Sequence, residues 1–142
     1  MLITKPVPWE GTIARCNLVG RDQVCIVHAT SNRPDGLPAE LRDDNGEPIG
    51  VADEVWIDDQ NLMRARGRLD AATDAGRDAA ARLVSAQHVA VHLGDAHTRR
   101  LREAGSDVLD IVLLTGWQVE AVQLVRADQA PWDEAVITAA PA

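Results

Sequence analysis

The sequence predicts an α+β domain, a small and mainly antiparallel β-barrel flanked by one main helix. Three observations predict it. Short apolar runs, each long enough for a strand, recur along the chain between Gly, Pro, Asp and Asn clusters. Only the stretch after Leu69 carries good helical spacing. At 142 residues with a hydrophobic fraction of 46%, the chain suits one domain over residues 1–142, large enough for a real core. There is no Phe or Tyr, so Val, Leu, Ile and Ala must build that core around Trp9, Trp56, Trp117 and Trp132.

Residues 1–10 hold two prolines and read as an extended N-terminal arm that packs through Trp9 or reaches a neighbour. Trp9, Pro6 and Pro8 are its candidate partner-binding residues. Gly11 to Leu18 and Gln23 to Ala29 read as short strands around Gly20. With Gly20-Arg21 as a two-residue hairpin loop, Cys16 faces Cys25, and a cross-strand disulfide is geometrically conceivable. For a cytosolic chain, two small buried thiols are the favoured reading. Thr30 to Gly50 reads as a loop region, rich in Pro, Gly and acids and long enough to imply a purpose.

Ile49 to Ile57 and Leu62 to Leu69 read as strands joined at Asp58-Asp59-Gln60-Asn61. Alternation turns Leu62, Arg64, Arg66 and Arg68 one way and Met63, Ala65, Gly67 and Leu69 the other. A helix starts at Thr73, whose hydroxyl can accept from the free N–H groups of the first turn. Asp74 suits the dipole there. Ala75, Ala79, Arg82, Leu83 and Ala86 fall near one face. His88 to Leu93 alternates as a strand. Asp95 to Gly105 is polar and reads as a helical turn or an excursion. Asp107 to Leu114 and Trp117 to Val125 are the clearest strands. In the latter Trp117, Val119, Ala121 and Gln123 share one face, and Gln118, Glu120, Val122 and Leu124 the other. Ala135 to Thr138 is a last short strand or turn.

The net charge of −8, with Lys5 as the one lysine, argues against nucleic acid or an anionic membrane as main partner. No window approaches the apolar length of a membrane span, and the N-terminus lacks a signal-peptide core, so assembly in a cytoplasm is expected. His88, His92 and His97 with Asp95 match no established metal-ligand spacing, and no metal or cofactor is expected. Asp43-Asp44-Asn45-Gly46-Glu47 lacks the closing ligand of a calcium loop and is foremost a turn. Ser31, Ser85 and Ser106 sit in no nucleophile elbow, and Ser85 with His88 is not a dyad by proximity alone. The acid pairs Asp53-Glu54 and Asp58-Asp59 read as solvated strand and turn positions.

From Pro48 onward the order of short motifs resembles the prohead maturation proteases of tailed phages, whose fold is shared with the herpesvirus assemblin. Pro48-Ile49-Gly50 leads into Val55-Trp56-Ile57, the turn Asp58-Asp59, Leu62 and then Gly67-Arg68-Leu69. Thr73, Gly76 and Arg77 match the family's T-x-x-G-R helix. Val89-Ala90-Val91-His92-Leu93 matches the strand that bears the nucleophile. The run from Trp117 to Val125, then Pro131, Ala135 and Ile137, matches the closing strand and tail, with Glu120 one position early. The resemblance implies a prohead-protease-like barrel. It places the family's nucleophilic serine on Ala90, or on Val91 if the register slips by one. It places the catalytic histidine among residues 41–45, where Asp43 and Asp44 stand and no His occurs. Covalent catalysis needs a nucleophile and its base, and both are replaced, so the resemblance implies the fold without the reaction.

The expectation is a non-catalytic decoration or minor capsid protein of a phage virion. Its partners would be the major capsid protein and a second copy of itself at a symmetry axis. The alternative is a working maturation protease with a displaced nucleophile, using Ser85 or Ser106 with His88, His92 or His28.

Overall fold

Among the described residues, ten strands and one helix account for the apolar patterning. The computed structural model describes residues 6–27, 37–94, 97–102 and 110–140. The strands are β1 Val7–Arg15, β2 Val24–Ile26, β3 Ala39–Arg42, β4 Pro48–Ile57, β5 Leu62–Leu69, β6 Gln87–Gly94, β7 His97–Arg102, β8 Asp110–Thr115, β9 Gln118–Leu124 and β10 Val136–Ala139. The helix α1 spans Asp74–Arg82, and a 3₁₀ turn covers Ala127–Gln129. Seven strands close a barrel in the order β1-β10-β6-β9-β3-β4-β5. All its pairings are antiparallel except β3 with β9. Closure leaves these seven strands without a free edge. The other three form a sheet in the order β2-β8-β7, with β2 and β8 parallel. The mainly antiparallel barrel with one helix is as expected; the separate three-stranded sheet is not foreseen by the sequence pattern.

The β4–β5 hairpin follows its sequence signals. Asp58 Oδ1 accepts from the N–H groups of Gln60 and Leu62 at 2.9 and 3.0 Å, and Asn61 adopts φ 64°, a left-handed conformation Asn tolerates. The alternation of β5 holds, with Met63, Ala65, Gly67 and Leu69 buried. Thr73 caps α1 as expected, its Oγ1 accepting from Gly76 N–H at 3.0 Å. The buried helix face is narrower than expected: Gly76, Ala79 and Leu83 are buried, whereas Arg82 is exposed and Ala86 lies beyond the helix end.

Several expectations are corrected. Residues 7–10 are part of β1 rather than an arm, because Trp9 is 0% exposed in the core and donates its indole N–H to Val51 O at 3.1 Å. Trp9 therefore offers no surface to a partner; Pro6 is exposed and Pro8 half-buried. Gly20-Arg21 is not a two-residue hairpin loop. Gln23 N–H donates to Gly20 O, and Cys16 forms a parallel bridge with Ile26 instead of facing Cys25 across an antiparallel pair. Both thiols are free and buried, which is the reading the sequence favours. The loop expected over 30–50 contains β3 and the start of β4. Residues 28–36, within which its first part falls, lie outside the described residues. The polar stretch after Gly94 contains the strand β7 rather than a helical turn.

The strict alternation expected over Trp117 to Val125 is broken. His92 pairs with Ala121 and Leu93 with Val119, so Glu120 is the extra residue of a bulge. The bulge lets Val119 on one side and Val122 and Leu124 on the other all enter the core.

Candidate functional site

The sequence marks Ala90, Asp43 and Asp44, and the barrel brings the first of these onto a polar strip. Ala90 on β6 pairs with Gln123 on β9, and Gln123 pairs with Arg42 on β3. The rung beyond is His92, Ala121 and Glu40. Between them Val91, Val122 and Leu41 turn inward and pack in or against the core. Ala90, His92, Gln123, Arg42 and Glu40 therefore share the outer face of β6, β9 and β3. This strip is assembled from three segments distant in sequence.

Its polar groups engage one another. His92 Nε2 lies 2.8 Å from Gln123 Oε1, so with the amide oxygen accepting, the ring nitrogen donates. Arg42 Nε donates to Glu40 Oε1 at 2.5 Å. The side chain at the centre of the Ala90 rung is an amide, flanked by a methyl group and a guanidinium. None of these is a nucleophile, and the rung contains no hydroxyl or thiol. It can present hydrogen-bonding and charged groups to a docked surface.

Asp43 and Asp44 sit on the β3–β4 turn, not on this strip. Asp43 Oδ1 accepts from the N–H groups of Asn45 and Glu47, both at 2.9 Å, so its carboxylate organises the turn. The side chain of Asp44 accepts from Arg82 Nη1 at 3.0 Å. That bond, at the end of α1, holds the Asp44 carboxyl below the usual carboxylate range. The segment Asp43 to Glu47 is thus a turn whose lead carboxylate is used by its own backbone.

The remaining candidates separate. His88 shares the outer face of β6 with His92, but its strand neighbour is Val136. His97 stands on β7 in the other sheet. Among the described residues no three His, Cys, Asp or Glu side chains are grouped as metal ligands would be. Ser85 Oγ donates to Arg82 O at 3.3 Å and accepts from Gln87 Nε2 at 3.4 Å, and shares no hydrogen bond with His88. Ser31, Ser106, His28 and Asp95 lie outside the described residues. Asp53 and Glu54 are ion-paired on the outside of β4, and Asp58 shapes the β4–β5 turn.

Sequence reasoning missed Glu40 and Arg42. Their signal was the alternation Ala39-Glu40-Leu41-Arg42, four residues hidden in a stretch dominated by turn formers.

Compared with known proteins, the chain matches no family model, no curated protein and no solved structure.

Proposed function

We propose that this chain is a non-catalytic structural protein of a tailed-phage capsid, a decoration or minor capsid protein built on a prohead-protease-like barrel. The Ala90–Gln123–Arg42 rung carries the reading. The motif order puts the family's nucleophile on Ala90. The surrounding side chains make a polar binding face with a methyl group where the reaction would need a hydroxyl. The family's histidine falls on a turn where Asp43 serves its own backbone and Asp44 serves Arg82. The major capsid protein is the partner this reading implies, bound through a barrel whose closed strands resist edge-to-edge aggregation.

The test is the copy number of this chain relative to the shell protein in purified particles from its source, before and after maturation. A fixed ratio in mature particles is the expected result. Absence from all particles overturns the capsid role. Labelling of the wild-type chain at Ser85 or Ser106 by a fluorophosphonate probe overturns the non-catalytic role and favours a displaced-nucleophile protease.

A further inference from the structure

The outer face of β1, β5 and β4 is built as three rungs. Pro8, Arg68 and Val51 form the first, Glu10, Arg66 and Glu54 the second, and Thr12, Arg64 and Trp56 the third. A bulge in β4 adds Asp53, which takes Arg68 in two hydrogen bonds of 2.9 and 3.0 Å. Three arginines thus face three carboxylates, and the face is neutral on a chain of net charge −8. Copies of a chain with this net charge repel one another on the whole, and a neutral face lets them meet without that penalty.

Two of the six charges are unused. Glu54 takes both Nε and Nη2 of Arg66, at 2.8 and 2.5 Å, and so occupies the arginine directly opposite Glu10. Glu10 is left exposed, with no ion-pair partner among the described residues. Arg64 also lacks one, and its Nε is buried without any hydrogen-bond acceptor. One spare charge of each sign, on neighbouring strands of one face, is the pattern that a two-fold operation completes: if Glu10 of one copy meets Arg64 of the other, the reciprocal contact follows.

Trp56 supplies the apolar anchor. Trp9, Trp117 and Trp132 are buried and donate their indole N–H groups to main-chain carbonyls. Trp56 is instead 40% exposed, with the Arg66 guanidinium 5.6 Å from its ring centroid. A cavity of about 340 Å3 opens beside it, between Trp56, Arg66 and Leu37.

We propose that this face is a self-association surface. A second copy of the chain docks on it about a two-fold axis, pairing Glu10 of each copy with Arg64 of the other and burying Trp56 between them. The surface is distinct from the strip around Ala90, and association of the purified chain needs no phage particle.

Sedimentation equilibrium on the full chain tests this. The wild type is expected to form a concentration-dependent dimer. Trp56→Ala is expected to weaken it at least about tenfold, as loss of a central aromatic anchor does. Glu10→Arg alone places arginine against Arg64 twice and is expected to be monomeric, as is Arg64→Glu alone. An equimolar mixture of the two variants restores both contacts and is expected to form the heterodimer. That rescue distinguishes lost complementarity from misfolding, which mixing would not repair. A wild type that stays monomeric, a dimer indifferent to Glu10→Arg, or a mixture that fails to associate overturns the proposal.

Discussion

Cys16 shows how a residue's chemistry follows from where the chain buries it. Its thiol lies in the core cluster and is pushed up to about 12, first by burial and then by the neighbouring Cys25. Burial raises the Cys25 thiol as well. A thiol whose folded value exceeds its unfolded one favours folding while both states are protonated. Above the ordinary value of 9.0 the unfolded chain loses its proton first. Stability should therefore fall progressively as pH rises from about 9 toward about 12. Thermal unfolding across that range should show the decline, and Cys16→Ala should flatten it. An equally steep decline in Cys16→Ala would show that another group causes it. Position also explains the marked residues at the site. Ala90 was legible as a strand position, but its neighbours Gln123 and Arg42 become visible only once β6, β9 and β3 lie side by side.

At the scale of elements, the motif glycines have packing reasons. A Cβ on Gly67 would lie 1.9 Å from Val51 O, and one on Gly76 would lie 1.7 Å from Asp70 O. Gly76 sits in the first turn of α1, where its N–H also donates to the capping Oγ1 of Thr73. Alanine is the better helix former by about 1 kcal/mol. The clash with a backbone carbonyl cannot be relieved by turning a side chain, so overpacking outweighs propensity. Gly76→Ala is expected to destabilise the fold by roughly 1–3 kcal/mol in urea unfolding. A stabilised variant would show that the segment from Asp70 to Thr73 gives way freely. The helix and the β4–β5 hairpin were readable because caps, turn residues and periodicity are local. The register of β9 was not, because the Glu120 bulge is defined only against β6.

At the scale of the molecule, a four-residue strand completes the barrel. β10 pairs with β1 on one side and β6 on the other, joining the two ends of the chain's pairing order. Its Ile137 is 0% exposed within the core cluster. Ile137→Asp would bury an unpaired carboxylate there and is expected to abolish cooperative unfolding, seen as a lost Trp fluorescence transition on heating. Val84→Asp, at a position 84% exposed, should change stability by no more than about 0.5 kcal/mol. Comparable losses in the two variants would contradict a core closed by β10.

The sequence by itself determined the elements whose signals are local: the capped helix at Thr73, the β4–β5 hairpin with its arginine-bearing outer face, and a barrel-forming run of short strands. It also marked Ala90 as a strand residue without a hydroxyl. Tertiary structure decided the rest. Trp9 became core because β1 runs between β10 and β5, and the stretch before Pro48 yielded β3 because a parallel partner, β9, was waiting for it. Alternation can mark each segment as a strand, but nothing in either segment says which distant strand it pairs with. The polar strip around Gln123 and the neutral face around Arg66 therefore exist only in the folded barrel.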